Sequence, residues 1–112
     1  MIFKICSRDE WTAAVRDGVY AGSANDKKDG FIHFSKAEQV AGTLAKYYAD
    51  ADELLLVAVS EPSLGAALKW EKSRDDALFP HLYGSLTLEP VRWVKPLSRG
   101  ADGAFILPEE CR

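Results

Sequence analysis

The chain has 112 residues, of which 47% are hydrophobic and 28% are charged, and its formal net charge is -3. This length and balance predict one globular domain over residues 1–112 and exclude a disordered segment. Two cysteines, Cys6 and Cys111, are too few for a disulfide framework, and two histidines are too few for a self-sufficient zinc site. The net negative charge argues against a broad nucleic-acid-binding surface. We therefore predict neither a metal site nor DNA binding.

Neither a membrane span nor an export signal is predicted. The longest apolar run, from Leu54 to Val59, is far shorter than the ~18–20 residues that cross a bilayer. The N-terminal segment Met1–Lys4 lacks the basic region and following apolar stretch of a secretory signal. These features predict a cytoplasmic protein with no membrane partner.

The first predicted elements are a strand and a helix. Ile2–Cys6 is a short apolar segment typical of a strand. Ser7 and Glu10 then have the spacing of a capping box, so we predict a helix that begins there and ends near Asp17. The polar segment Asp26–Gly30 is predicted to be a loop.

A second helix is predicted after an extended segment. Phe31–Ser35 is extended by composition, and Ser35 with Glu38 repeats the capping-box spacing. The predicted buried face of this helix consists of Ala37, Val40, Ala41, Leu44 and Tyr48. The continuous apolar run inside Glu53–Ser60 then predicts a strand that is buried on both faces.

The second half of the chain is predicted to be rich in short strands. Leu68–Glu71 alternates between apolar and polar residues, and Leu86–Leu88 and Val91–Val94 read as two further strands. Phe79–Gly84 contains a proline and a glycine, which favours an ordered loop over a central strand. Two helices near the N-terminus and about five or six short strands along the whole chain predict an α+β fold.

His33 is the first candidate site residue. Strand periodicity places Ile32 and Phe34 on the core face, so His33 and Ser35 share the opposite face. They lie next to a predicted helix N-terminus, whose free N–H groups suit a phosphate or another anion. The alternative is a histidine that merely hydrogen-bonds a neighbouring backbone carbonyl.

The segment Phe79–Gly84 is the second candidate. Proline fixes its backbone, His81 and Tyr83 supply polar and aromatic groups, and Gly84 permits a positive φ or a close backbone approach. Such a segment can form a wall for a planar ligand. The alternative is a packed loop in which these side chains satisfy backbone groups.

Two charged residues, Glu71 and Arg74, form the third candidate. Glu71 can act as a general base or hold a ribose hydroxyl, and the simpler interpretation is a solvated surface carboxylate. Arg74 can bind a phosphate as a bidentate donor, or it belongs to a solvated basic edge. Trp70 and Trp93 are predicted to lie in the core.

Three segments together resemble the bacterial family known as domain of unknown function 952. They are Gly30–Ser35 with Gln39, the pair Trp70–Glu71, and Phe79–Gly84, whose Phe-Pro-His-x-Tyr-Gly pattern is the most specific. The resemblance covers nearly the whole chain. Because that family is grouped by fold with the ADP-ribosyltransferases and the RNA 2′-phosphotransferases, it implies an ADP-ribosyltransferase-like fold, a bent, split β-structure with helices packed outside.

The resemblance also implies a transferase pattern: a His or Arg on an early strand, a Ser or Tyr at a strand-to-helix junction, and often a late Glu. Lys4 stands at the early position, His33 at the junction, and the late element surrounds His81 without a matching Glu. The catalytic candidates are Glu71, His33 and His81. The ligand-binding candidates are Lys4, Ser35, Arg74, Tyr83 and Gly84.

These residues lead to a functional hypothesis with two alternatives. The leading interpretation is a cleft that binds a nucleotide-like or phosphorylated small molecule, with ribosyl or phosphoryl transfer as the reaction class if the protein is an enzyme. NAD is then a candidate substrate, Glu71 would stabilise the oxocarbenium-like transition state, and no other cofactor is implied. The alternatives are a non-catalytic binding module, which Lys4 favours, and a protein-interaction accessory domain. The oligomeric state stays open.

Overall fold

The computed structural model describes residues 1–112 and contains three α-helices and ten short strands. The helices are α1 (Arg8–Asp17), α2 (Ala24–Asp29) and α3 (Val40–Tyr47). The strands are β1 (Ile2–Ser7), β2 (Val19–Tyr20), β3 (Ile32–His33), β4 (Leu54–Val59), β5 (Leu68–Lys72), β6 (Leu78–Leu82), β7 (Leu86–Thr87), β8 (Val91–Pro96), β9 (Ser98–Arg99) and β10 (Phe105–Ile106). Short 3₁₀ turns lie at Ala37–Gln39, Glu61–Ala67, Arg74–Asp76 and Glu109–Cys111. The predicted α+β class is confirmed, with one helix and several short strands more than the sequence indicated.

Two antiparallel three-stranded sheets make up most of the β-structure, one in the order β1-β4-β8 and the other in the order β3-β6-β5. A single bridge joins them: the Phe3 N–H donates to the Ser35 carbonyl at 2.9 Å, and the Ser35 N–H donates to the Phe3 carbonyl at 2.8 Å. The two-stranded pairs β2-β7 and β9-β10 complete the structure. The segment that follows β3 therefore belongs to both sheets.

Strand β4 forms the centre of the first sheet, and all six of its residues are buried. Its side chains alternate between two apolar clusters, one on each side of the sheet. Leu55, Val57 and Val59 pack in the cluster that contains Ile2, Cys6 and Phe34, whereas Leu54, Leu56 and Ala58 pack with Phe3, Ile5 and α3. The prediction of a strand buried on both faces is confirmed.

Helix α1 begins and ends as the sequence predicts. The Glu10 N–H donates to Ser7 Oγ at 3.0 Å, and the Ser7 N–H donates to Glu10 Oε1 at 2.9 Å, which completes a capping box. Gly18 follows the last helical residue, Asp17, in the left-handed conformation with φ 77°.

The prediction of a loop at Asp26–Gly30 is wrong, because most of that segment lies in α2. Ser23 is its N-cap: the Asp26 N–H donates to Ser23 Oγ at 3.1 Å, and the Ser23 N–H donates to Asp26 Oδ2 at 2.9 Å. The Ser-x-x-Asp spacing indicates the start of this short helix, whereas its polar composition favours a loop.

The predicted start of the second helix is also wrong by one residue. Lys36 is the N-cap of the 3₁₀ turn that precedes α3, and its N–H donates to Gln39 Oε1 at 2.9 Å. Ser35 stays extended because its backbone is paired with Phe3 of β1. On α3, Val40 and Leu44 are buried as predicted, and Ala41 is exposed.

Strand β6 corrects the prediction of a loop at Phe79–Gly84, since it is the central strand of the second sheet. Pro80 fits there because of its orientation. The Phe34 N–H donates to the Pro80 carbonyl at 2.9 Å, so the proline nitrogen points to the same side, where β3 has ended. The missing N–H therefore removes no hydrogen bond to β5.

The prediction that Trp70 lies in the core is wrong. Trp70 lies on the edge strand β5, is 37% exposed, and donates from Nε1 to Glu61 Oε2 at 3.2 Å. Trp93 is partly buried and packs against Phe3, with ring centroids 5.8 Å apart. None of the helices is both long enough and apolar enough to span a membrane.

Candidate functional site

The second sheet carries the candidate site on one face. His33 on β3 lies directly opposite His81 on β6, and Lys69 on β5 lies opposite His81 from the other side. Because side chains alternate along a strand, every second residue points to this same face. We call it the histidine face and define it by His33 and Ser35 from the β3 segment, Phe79 and His81 from β6, and Lys69 and Glu71 from β5.

His33 is held between two carboxylates of α2. Its Nδ1 lies 2.6 Å from Asp26 Oδ1 and its Nε2 lies 2.9 Å from Asp29 Oδ2. The His33 backbone N–H also donates to Asp26 Oδ1 at 3.1 Å. Both ring nitrogens can donate together only when the imidazole is protonated. The arrangement therefore fixes the orientation of the His33 ring.

Asp26 connects His33 to a buried lysine. Lys4 Nζ lies 2.8 Å from Asp26 Oδ2 and 3.0 Å from Oδ1, and the Lys4 and Asp26 side chains are only 4% and 2% exposed. Burial alone would raise the pKa of Asp26. The hydrogen bond from His33 and the positive charge of Lys4 outweigh it and hold that pKa well below the ordinary value. Lys4 therefore acts on the histidine face through Asp26, and its own ammonium is already paired.

Glu71 organises the other histidine. His81 Nδ1 lies 2.8 Å from Glu71 Oε1, and the Tyr83 hydroxyl donates to the same oxygen at 2.7 Å. The hydrogen bonds from His81 and then Tyr83 lower the pKa of Glu71, and the bond to Glu71 raises the pKa of Tyr83. An ionised Glu71 accepts the hydrogen of Nδ1 and leaves the lone pair of a neutral His81 on Nε2.

Phe31 covers the two histidines. Its ring stacks on His81 with centroids 4.1 Å apart and an interplanar angle of 23°, and it lies 4.6 Å from His33 and 5.2 Å from Tyr83. The two imidazole centroids are 5.4 Å apart. This packing leaves His81 only 4% exposed.

Ser35 and Arg74 lie near the other end of the histidine face, where α3 approaches it. Ser35 Oγ lies 3.3 Å from Thr43 Oγ1, and Arg74 donates from Nη1 to that same threonine oxygen at 3.2 Å. The Arg74 guanidinium carbon lies 5.0 Å from the centre of the Phe79 ring. This group supplies a second polar region beside the aromatic one.

Gly84 follows Tyr83 with φ 149°, a value that residues with a side chain rarely adopt. Gly84, Asp26 and Phe31 help to line a shallow pocket of about 200 Å³ at the edge of the histidine face. No group of three or more His, Cys, Asp or Glu side chains is arranged to hold a metal ion.

The structure thus brings the predicted site residues into three places. One cluster lies around Phe31 and consists of His33, His81, Glu71 and Tyr83. Ser35 and Arg74 both contact Thr43. Lys4 is buried behind Asp26.

Sequence reasoning did not single out Asp26, Asp29 or Thr43. The capping box at Ser23 was the one signal that placed Asp26 on a helix. No local pattern points to Thr43, which meets Arg74 from 31 residues away.

Comparisons with known proteins identify a matching family and similar solved structures. A family model described as "Protein of unknown function (DUF952)" matches residues 5–94. The X-ray crystal structure of protein CC0527 from Caulobacter crescentus is 47% identical, with a TM-score of 0.89, over 94% of this chain and 92% of that one. The solution NMR structure of CC0527 is 48% identical, with a TM-score of 0.82, over 92% of this chain and 89% of that one. Among curated proteins, no relative was found.

Proposed function

The chain belongs to the DUF952 family of proteins of unknown function, and from its own geometry we propose that the histidine face binds a small ligand and that His81 exchanges a proton with it. One observation carries this proposal: His81 lies opposite His33 on paired strands, with its Nδ1 held by Glu71 at 2.8 Å. A carboxylate that orients an imidazole leaves Nε2 as an acid–base group of fixed direction. Glu71 is then a positioning residue for His81.

The ligand that this surface suits is nucleotide-like or phosphorylated. Phe31 and Tyr83 supply aromatic faces for a planar base. The carboxylates of Asp29 and Glu71 are acceptors for ribose hydroxyls at the same surface. Ribosyl or phosphoryl transfer is the reaction class that these groups would serve, with NAD as one candidate substrate.

The proposed fold relationship is to the ADP-ribosyltransferase-like group. Its support is the arrangement of two three-stranded antiparallel sheets that meet at the Phe3–Ser35 bridge. We also propose a cytoplasmic location, where the two free buried thiols, Cys6 and Cys111, would stay reduced.

A non-catalytic binding module is the second candidate function. Lys4 stands where the transferase pattern has a ligand-contacting residue, and its ammonium is instead paired with Asp26 inside the protein. A chain that kept the ligand-binding surface without the reaction would show this arrangement.

The test combines a thermal-shift panel of nucleotides and sugar phosphates with a nicotinamide-release assay on NAD. The variants are His81→Gln, Glu71→Gln and the exposed control Glu89→Gln. A compound that stabilises the wild type and Glu89→Gln but not His81→Gln supports the ligand site, and nicotinamide release that is lost in His81→Gln supports the transferase. Stabilisation without turnover supports the binding module. If no compound in the panel stabilises the wild type, or if His81→Gln responds like the wild type, the proposal is overturned.

A further inference from the structure

Arg74 is a nearly buried cation without a close anionic partner. Its side chain is 13% exposed, and its nearest carboxylate oxygen, on Asp75, lies 3.9 Å from Nε on a side chain that is 90% exposed. Of the five N–H groups of the guanidinium, one on Nη1 donates to a protein oxygen, Thr43 Oγ1. Tyr20 Oη is the one buried side-chain nitrogen or oxygen atom without a hydrogen-bond partner, so the other N–H groups of Arg74 reach solvent. A fold that keeps this arrangement leaves the cation available for something outside the chain.

The neighbourhood of Arg74 contains a spare hydroxyl hydrogen. Thr43 Oγ1 accepts from Arg74 and lies 3.3 Å from Ser35 Oγ, so one of these two hydroxyls donates to the other. The second hydroxyl then keeps a hydrogen with no acceptor in the protein. Ser35 is 4% exposed, and Thr43 is partly exposed.

The backbone around Arg74 is shaped to hold the guanidinium there. Asp75 and Asp76 have φ of 57° and 60°, an uncommon conformation for residues other than glycine. On the opposite side, α3 has Gly42, where an added Cβ would lie 3.2 Å from Arg74 Nη2. The strained turn and the absent side chain at Gly42 together bring the cation against α3.

We propose that Arg74, Thr43 and Ser35 form an anion subsite that binds a tetrahedral oxyanion, such as the phosphate group of a phosphorylated ligand. The planar N–H groups of arginine match two oxygens of such an anion, and the spare hydroxyl donates to a third. The identity of the ligand in this subsite rests on the proposed function. Phe79 lies beside Arg74, and His81 follows Phe79 by two residues on β6, about 7 Å along the strand. A phosphate held there leaves the rest of the ligand beside the Phe31 ring that covers His81.

The experiment measures binding of inorganic phosphate to the whole chain, by thermal shift and by phosphorus NMR, against chloride at equal ionic strength. The main variant is Arg74→Met, which keeps much of the packing against Phe79. Arg92→Met is the matched control, because Arg92 is an exposed arginine that bonds only a backbone carbonyl. We expect Arg74→Met to weaken phosphate binding by about tenfold or more, because charge-assisted hydrogen bonds are lost, and Arg92→Met to bind like the wild type. Thr43→Val provides an independent variant, with an expected loss of severalfold.

A second readout separates an anion subsite from a structural arginine. In phosphate-free buffer, Arg74→Met should melt close to the wild type, because the guanidinium makes one side-chain hydrogen bond, to Thr43, and its carboxylate contact is 3.9 Å long on the exposed Asp75. The inference is overturned if the wild type does not prefer phosphate to chloride, or if Arg74→Met and Thr43→Val both bind phosphate like the wild type. Acetate in place of phosphate tests the anion class, and tighter binding of acetate would overturn the assignment to a tetrahedral oxyanion.

The outcome is independent of the role assigned to His81. If phosphate binding is lost in Arg74→Met while the panel ligands stabilise His81→Gln as they do the wild type, the subsite is supported and the proposed proton exchange is rejected. If ligand binding is lost in His81→Gln but unchanged in Arg74→Met, the role of His81 is supported and the anion subsite is rejected.

Discussion

Glu71 accepts a hydrogen bond from His81 Nδ1 at 2.8 Å and so determines which nitrogen of that ring carries the hydrogen. The same carboxylate oxygen accepts from the Tyr83 hydroxyl at 2.7 Å, which limits its freedom to turn away. The acid–base behaviour of the histidine face therefore depends on a residue that lies one strand away from His81, on β5.

Replacing Glu71 by Gln should change the tautomer of His81. In the wild type, nitrogen NMR of the neutral ring should show the hydrogen on Nδ1, because an ionised carboxylate faces that atom. In Glu71→Gln the amide can donate as well as accept, so a mixture of the two tautomers is expected. Glu89→Gln is the control, and a wild-type ring with its hydrogen on Nε2 would contradict the assignment.

The buried pair of Lys4 and Asp26 should be strongly coupled in stability. Asp26→Asn leaves the Lys4 ammonium without its counter-charge, and we expect a loss of about 3–5 kcal/mol in the free energy of unfolding. The double variant Lys4→Met with Asp26→Asn should recover part of that loss, because no buried charge is left unpaired. Urea unfolding of the two single variants and the double variant measures the coupling, and strictly additive losses would refute it.

The free energy of unfolding should depend on pH through Asp26. Its pKa is lower in the folded protein than the ordinary value of 3.8, so its stabilising contribution is complete above that value and is lost as the pH falls below it. The free energy of unfolding of the wild type should therefore decrease steeply below about pH 4. The double variant without Lys4 and Asp26 should show a shallower decrease, and an equally steep one would show that other groups cause it.

Gly42→Ala should separate stability from anion binding. Gly42 is the third residue of α3, and alanine there should stabilise the helix by about 0.5–1 kcal/mol at most, since glycine is a poor helix former. The new Cβ would lie 3.2 Å from Arg74 Nη2 and displace the guanidinium. Phosphate binding should therefore weaken while the melting temperature in phosphate-free buffer rises. Unchanged phosphate affinity would show that the position of Nη2 does not matter.

Phe31→Ala should expose His81 to reagents. The Phe31 ring stacks on His81 at 4.1 Å and leaves it 4% exposed, whereas the His33 side chain is 29% exposed. Modification by diethyl pyrocarbonate, followed by peptide mass spectrometry, should become severalfold faster at His81 in the variant. His33 provides a reference within the same molecule. An equal rate at His81 in both proteins would mean that another group shields it.

The features that the sequence predicts correctly depend on near neighbours along the chain. The capping box at Ser7 and the apolar run of β4 each lie within a few residues, and strand alternation alone separates Ile32 from His33. A shared site for His33 and His81 is a hypothesis that depends on strand facing and on the family resemblance, because strand pairing across 48 residues has no local sequence signal.

The features that the sequence misses depend on tertiary contacts. Asp26 becomes a central residue only because α2 folds over β1 and meets Lys4, 22 residues earlier. Pro80 is acceptable in a central strand only because β3 ends beside it. Trp70 is exposed because β5 is an edge strand, which its apolar alternation does not reveal.

Helix α2 has six residues, too few to be stable by itself, and its order depends on the contacts that Asp26 makes. One carboxylate closes the capping box, neutralises Lys4 and holds His33. A fluctuation that unwinds α2 must therefore release His33 and uncover Lys4 in the same step. The opening of the histidine face and the local unfolding of α2 are one event with one free energy, which amide hydrogen exchange in α2 would report.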